Sequence, residues 1–157
     1  MAHPTADDRP RLVIPALGHL YRALDPYMDA LVRVTVGLSL VPHGMQKLFG
    51  MLGGGGLAGT AKFLEGVGYT PGLFWAFALG SLEFFGGIAL ALGFLTRPLA
   101  AAVFVFMLNA IAYHWPNGFF WNKLGFEFPL FWAAMCVFVF VRGGGRYSVD
   151  RWLGREF

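Results

Sequence analysis

The sequence predicts an all-α integral membrane protein in which four transmembrane helices form a bundle. Its 157 residues are 57% hydrophobic and only 13% charged, whereas a soluble domain carries about 25% charged residues. Four apolar stretches approach the roughly 20 residues that a helix needs to cross a bilayer. The single cysteine, Cys136, excludes a disulfide scaffold or a paired-cysteine redox relay within the chain. The length suits a single membrane domain.

The predicted spans divide the chain into helices, tails and loops. The four spans are residues 29–49, 72–95, 98–115 and 124–141. Outside them we expect a cytoplasmic tail or interfacial helix, an outer loop and a second cytoplasmic tail, at residues 1–27, 51–70 and 142–157.

Local signals support these boundaries. A capping residue shortly before a proline favours a helix start. Proline lacks a backbone N–H, and in the first turn of a helix that N–H would have no intrahelical acceptor anyway. This pattern occurs at Asp25-Pro26, Thr70-Pro71 and Thr96-Arg97-Pro98. Glycines at 143–145 favour the end of the last helix, since glycine adopts the left-handed conformation there.

The basic residues predict the orientation. Four crossings place both termini and the turn before Pro98 on one side, which carries eight Lys and Arg residues against three on the other. The eight are Arg9, Arg11, Arg22, Arg97, Arg142, Arg146, Arg151 and Arg155, and the three are Lys47, Lys62 and Lys123. Cytoplasmic segments accumulate positive charge. Both termini are therefore predicted to be cytoplasmic, with the protein in a bacterial-type inner membrane. No nucleic-acid partner is expected.

Ionisable residues within the predicted spans are candidates for function because they are costly in hydrocarbon. At 100° per residue, Arg33, His43 and Lys47 fall on one stripe of span one, together with Gly37 and Gly44. Such a stripe should face protein rather than lipid. We expect it to contact another span.

Glu83 is the single acid of span two and lies near its middle. It shares a helix face with small residues, which allow two helices to approach closely in lipid; they are Ala76, Gly80, Gly87 and Ala91. The carboxylate is therefore expected to point into a helix contact. Its candidate partners are Arg33, His43 and Lys47.

Three further polar residues lie toward the outer ends of the last two spans: Asn109, His114 and Glu127. The predicted ligand pocket consists of His43, Lys47, Glu83, Asn109, His114 and Glu127. His43, Lys47 and Glu83 are the candidates for a catalytic role. No metal site is predicted, since the histidines and acids have no compact ligand spacing. The alternative for each residue is structural: an ion pair that fixes helix packing, or a polar group at the membrane interface.

Five segments of this sequence carry a family resemblance. They are HGMQKLF at His43–Phe49, LEFFGGIALALGFLTRPLA at Leu82–Ala100, the segment Asn109–His114, the segment Gly125–Glu127, and GGGRYSVD at Gly143–Asp150. In order and spacing they resemble the DoxX family of small four-helix membrane proteins. The resemblance implies a four-helix bundle associated with oxidoreductases. Some relatives are described as subunits of a thiosulfate:quinone oxidoreductase, and others are linked to oxidative-stress or quinone-resistance systems.

Three functions stay open from the sequence. The first is a subunit or partner of a quinone-linked oxidoreductase. The chain has no haem attachment motif, flavin site or cysteine pair, so the redox centre would be a bound quinone or would belong to another subunit. The second is a non-catalytic anchor or assembly subunit. The third is a small proton-coupled transporter using Glu83, which would require a homo-oligomer. Whether the chain itself catalyses a reaction is left open.

Overall fold

The computed structural model describes residues 11–156, and all regular structure in this range is helical. The α-helices are α1 (Leu17–Phe49), α2 (Gly56–Gly66), α3 (Gly72–Ser81), α4 (Gly87–Leu92), α5 (Thr96–His114), α6 (Glu127–Arg142) and α7 (Val149–Trp152). A π-helical turn, Leu82–Gly86, joins α3 to α4 in one continuous stretch. Two short 3-10 turns, Trp115–Asn117 and Trp121–Lys123, lie between α5 and α6.

Two helical stretches have the length and apolar composition of membrane-spanning helices. They are Gly72–Leu92, with a mean hydropathy of 1.7, and Thr96–Asn117, with a mean hydropathy of 1.5. The rest of the chain buries only 33% of the most apolar 18-residue segment of the first stretch and 17% of that of the second. They therefore differ from the core helix of a soluble protein, which is mostly buried. α1 and α6 do not meet the same criterion, and α6 has 16 residues.

Several helix boundaries differ from the predicted spans. α1 begins at Leu17 and continues through Pro26, so Asp25-Pro26 does not mark a helix start. A proline inside a helix removes one backbone hydrogen bond, and here the flanking turns continue on both sides. The stretch that contains Glu83 ends at Leu92, where Gly93 has a φ of 73°. α6 begins at Glu127, after Leu124 has adopted a φ of 60°.

The outer segment 51–70, predicted as a loop, contains α2. Its apolar residues Leu57, Ala61 and Leu64 follow helical spacing, but three glycines lie within the same helix. Glycine disfavours helix by about 1 kcal/mol relative to alanine. Tertiary contacts of α2 with α3 and α1 outweigh that weak propensity.

The helices form two closely packed pairs around a common core. α5 packs along α6, and α1 packs along the continuous stretch of α3, the π-helical turn and α4. The main cluster of buried hydrophobic residues comes from α1, α4, α5 and α6: Val36, Leu40, Leu90, Ala100, Val103, Met107, Ala133, Cys136 and Val139. This arrangement places the polar stripe of α1 against the helix face that carries Glu83.

Glycines make the contact between α1 and the Glu83 stretch close, as the small-residue face predicts. A Cβ atom on Gly44 would lie 2.4 Å from the backbone nitrogen of Phe84, and one on Gly37 would lie 2.5 Å from the carbonyl oxygen of Gly87. Real Cβ atoms do not approach backbone so closely. The two helices would have to separate to accept any side chain at these positions.

We therefore expect Gly44→Ala to lower the free energy of unfolding by about 1–3 kcal/mol, the usual cost of overpacking a tight contact. Thermal unfolding in detergent micelles measures this. Gly59→Ala is the matched control, because a Cβ atom on Gly59 would meet nothing within 4 Å and alanine favours helix. Equal melting temperatures for Gly44→Ala and Gly59→Ala would contradict the close contact.

The segment after α6 folds back onto the bundle instead of forming a free tail. The Asp150 carboxylate accepts hydrogen bonds from the backbone N–H groups of Leu95 and Thr96, both at 2.9 Å. It thereby caps the first turn of α5, whose N–H groups have no intrahelical partners. Arg142 pairs with Asp29 of α1 at 2.8 Å. Arg9, one of the basic residues used to predict the orientation, and residues 1–10 generally lie outside the described range.

Arg33 also belongs to this end of the bundle. Its side chain is buried and donates hydrogen bonds to the carbonyl oxygens of Leu90 (3.0 Å), Ala91 and Tyr147 (2.6 Å). The first two carbonyls are at the C-terminal end of α4, where a cation is favourable. Arg33 therefore anchors the C-terminal segment to α4, and these three hydrogen bonds do not involve Glu83.

Candidate functional site

An ion pair between α1 and the π-helical turn forms the centre of the candidate site. Lys47 Nζ lies 2.7 Å from Glu83 Oε1 and 2.6 Å from Glu83 Oε2. The Glu83 side chain is only 4% exposed, whereas that of Lys47 is 26% exposed. Of the three predicted partners, Lys47 is thus the one that binds the carboxylate. The Glu83 carboxylate is thus enclosed by the protein, whereas the Lys47 side chain is partly accessible.

The local backbone explains how Glu83 reaches Lys47. Glu83 lies in the π-helical turn, a wider turn than that of an α-helix and one often found at functional sites. On the opposite helix, Gly44 allows the backbone of Phe84 to approach without steric conflict. The wide turn and the glycine together bring the carboxylate to the lysine one helical turn further along α1.

A cavity of about 630 Å³ opens beside Lys47, between α2, α3 and α5. This volume is within the range of small-molecule sites, which are mostly apolar with a few polar groups. The walls follow that composition, with Phe63 from α2, Trp75 from α3 and Phe106 from α5 among the aromatic residues. Lys47 Nζ lies 5.9 Å from the centroid of the Phe106 ring. A ligand in the cavity would therefore meet one cation among apolar and aromatic surfaces.

Other polar side chains also line this cavity. Tyr69 donates a hydrogen bond from its hydroxyl to Asn109 Oδ1 at 2.9 Å, and Asn109 Nδ2 donates to the Val105 carbonyl at 2.8 Å. His114 Nδ1 lies 2.6 Å from the Leu124 carbonyl. Because a carbonyl oxygen only accepts, this nitrogen carries the proton in the hydrogen bond. Asn109 and His114 both line the cavity, although they differ by about 140° on a straight helix.

The structure divides the six predicted pocket residues into two groups. Lys47, Asn109 and His114 line the cavity, and Glu83 joins them through Lys47. His43 instead packs edge-to-face against Trp132 of α6, with ring centroids 5.5 Å apart. It lies at one edge of the predicted stripe, whereas Arg33, Gly37 and Gly44 occupy the buried part. The contact between α1 and the Glu83 stretch covers a narrower arc of α1 than the predicted polar stripe. His43, at the edge of that stripe, therefore faces α6.

Glu127 also lies apart from the cavity lining. Its Oε2 accepts a hydrogen bond from the backbone N–H of Trp121 at 3.0 Å, at the beginning of α6. A carboxylate in the first turn of a helix is favourable on electrostatic grounds. The contact therefore orders the connection between α5 and α6.

Sequence reasoning missed the cavity residues of α2 and of the turn after it. Thr60, Phe63, Leu64 and Tyr69 all line the cavity. The helical spacing of apolar residues in α2 was the available signal, and the neighbouring glycines obscured it. Within residues 11–156, no group of three His, Cys, Asp or Glu side chains is arranged to hold a metal ion.

Comparison with known proteins assigns the fold to a family. The model of the DoxX family matches residues 28–115, a region that contains Lys47, Glu83 and the whole lining of the cavity. The chain is also 34% identical over 103 residues to "Inner membrane protein YqjF" of Escherichia coli (strain K12). The aligned region covers 65% of this chain and 78% of that relative. No solved structure matches the chain. The matched region is more than half of the sequence, and both similarities support a membrane location: the chain belongs to the DoxX family of membrane proteins.

Proposed function

We propose that this protein is an inner-membrane subunit or partner of a quinone-linked oxidoreductase system, and that its cavity holds the quinone head group. The observation that carries this proposal is an aromatic-lined cavity, about 630 Å³ in volume, that adjoins the Lys47–Glu83 pair. Quinone carbonyl oxygens accept hydrogen bonds, and Lys47 is a charged donor with part of its surface open to the cavity.

The residues of the site have distinct parts in this proposal. Lys47 would donate a hydrogen bond to one carbonyl oxygen of the quinone. Glu83 would balance the charge of Lys47, so that the cation does not remain alone in a low-dielectric environment. Tyr69 and Asn109 would supply further polar contacts to the head group. A bound quinone would supply the redox chemistry by taking up two electrons and two protons, with the electrons coming from another subunit.

The proposal includes a four-helix transmembrane bundle with both termini in the cytoplasm. α1 and α6 would cross the membrane beside the two apolar stretches. Their packing supports this arrangement, because α6 lies along α5 and α1 lies along the stretch that contains Glu83. The excess of basic residues at the end of the bundle that holds Arg97, Arg142 and the C-terminal segment supports the orientation.

Quinone binding by the protein in lipid nanodiscs tests the proposal. We expect the wild type to retain quinone from native lipids, detected by mass spectrometry, and to melt at a higher temperature when quinone is added. Lys47→Met should weaken binding about 10- to 100-fold, the loss expected for a hydrogen bond to a charged group.

His43→Phe is the matched control, because it removes an ionisable side chain of the same helix that packs on Trp132 instead of lining the cavity. It should leave quinone binding unchanged. A wild-type protein that retains no quinone and shows no thermal shift would overturn the proposed function. Equal losses of binding in Lys47→Met and His43→Phe would overturn the assignment of the head group to this cavity.

A further inference from the structure

Part of the cavity is a cleft between α3 and α5. Its lining residues Trp75 and Leu79 on α3 and Leu82 at the start of the π-helical turn recur at helical spacing. On α5, Ala102, Phe106 and Tyr113 do the same. α5 packs on the π-helical turn and on α4 more than it packs on α3. The two stripes therefore face each other where the helices have diverged, and neither helix fills the space between them.

The α5 wall of the cleft lies at the depth of the hydrocarbon. α5 belongs to the apolar stretch Thr96–Asn117, which is long enough to span a bilayer. Ala102 lies about 9 Å along the helix from Thr96, and Val105 lies about 14 Å along it, at 1.5 Å per residue. Both residues line the cavity and are also exposed, Val105 by 57%. An opening at this depth faces lipid acyl chains rather than water.

Further along α5, polar contacts line the cleft. The hydrogen bond from Tyr69 to Asn109 connects the turn before α3 to α5. Asn109 lies about 10 Å further along α5 than Ala102, beyond the level of Phe106 and Lys47. A ligand whose polar head lies near Lys47 and Asn109 would therefore leave the apolar part of the cleft, at Ala102 and Val105, for a hydrocarbon chain.

From this geometry we infer that the ligand enters laterally from the bilayer, through the α3–α5 cleft, and that it is a long-tailed quinone whose tail stays between Ala102 and α3. This inference rests on the proposed function and adds to it the class of quinone and the route of entry. Small side chains such as Ala78 and Ala102 keep the cleft wide enough for a hydrocarbon chain. A water-soluble ring without a tail would fill only the head-group end.

Two quinones that share one ring test the inference in nanodiscs: a dimethoxy-methyl-benzoquinone without a tail, and the same ring with a decyl tail. We expect Ala102→Phe, which narrows the cleft, to weaken binding of the tailed quinone at least tenfold and to leave binding of the tail-free ring unchanged. Val105→Trp is a second variant on the same wall. Ala112→Phe is the control, since Ala112 is exposed on the same helix but does not line the cavity; it should bind both quinones as the wild type does.

The outcomes separate the two proposals. If the wild type binds neither quinone, the proposed function fails and the inference fails with it. If the wild type binds both and each cleft variant binds the tailed quinone normally, the lateral route is wrong while the proposed function stands. If the cleft variants lose both quinones equally, the substituted side chains occupy the head-group site, and the position assigned to the tail is wrong.

Discussion

Replacing Lys47 by methionine should lower the free energy of unfolding by about 3 kcal/mol, making this one of the two most damaging single substitutions that we predict. Breaking a buried ion pair at one partner costs about 3–5 kcal/mol, because it leaves the other charge enclosed and unpaired. Glu83 is 4% exposed and would be that charge, whereas the 26% exposure of Lys47 places the effect at the lower end of the range. Equilibrium unfolding in detergent micelles measures the change.

A double substitution identifies the cause of this loss. In Lys47→Met/Glu83→Met both charges are gone, and apolar replacement of a whole buried pair is often neutral. We expect the double variant to recover most of the lost stability. Lys62→Met is the control for removing a lysine, because Lys62 is exposed on α2. A double variant as unstable as Lys47→Met alone would show that the lysine stabilises the protein through contacts other than Glu83.

Replacing Arg33 by methionine should cost a similar amount, about 3 kcal/mol, and should also release the C-terminal segment. The guanidinium donates hydrogen bonds to three backbone carbonyls, two on α4 and one at Tyr147. Each hydrogen bond to a charged group contributes about 1.5–3 kcal/mol, and partial rehydration of the carbonyls offsets part of the loss. The segment that carries Asp150 would then lose one of its connections to the helices.

Trypsin reports on this release, since Arg146 and Arg151 lie within the segment. Cleavage there should be at least tenfold faster in Arg33→Met than in the wild type. Arg22→Met is the control, because the Arg22 side chain is exposed and its hydrogen bond to His19 lies within one turn of the same helix. Unchanged cleavage in Arg33→Met would mean that the remaining contacts, among them the Asp150 cap, hold the segment without Arg33. Because Arg33 is distant from the cavity lining, quinone binding by the folded variant should remain as in the wild type.

Much of the fold follows from local patterns in the sequence. Apolar length predicts the helical stretch from Gly72 and the helix of α5, and proline and glycine signals predict the starts near Pro71 and Pro98 and the end at Gly143. These signals are local because a helix satisfies its own backbone hydrogen bonds within one segment. α2 was missed for the same reason: its glycines weaken the local signal, and its contacts with α1 and α3 stabilise it.

The candidate site was predictable only in part. Glu83 stands out because one acid in an apolar stretch needs a partner, and the small residues around it predict which face is buried. The choice of Lys47 over His43 depends on the rotation of α1 against the π-helical turn, and a turn of that kind has no reliable sequence pattern. The cavity depends on the divergence of α3 from α5 and on the position of α2, which are relations among three separate elements.

The sequence by itself determined that this protein is helical, that it belongs in a membrane, and that a buried acid would need a base on a neighbouring helix. Composition and periodicity suffice for these conclusions, because the cost of exposing backbone and charge to hydrocarbon acts on each segment separately. Only the tertiary structure decided that Lys47 is the base, that Arg33 and Asp150 hold the C-terminal segment, and that a cavity adjoins the ion pair. These features depend on the distances and rotations between helices, which are set by packing across the whole chain.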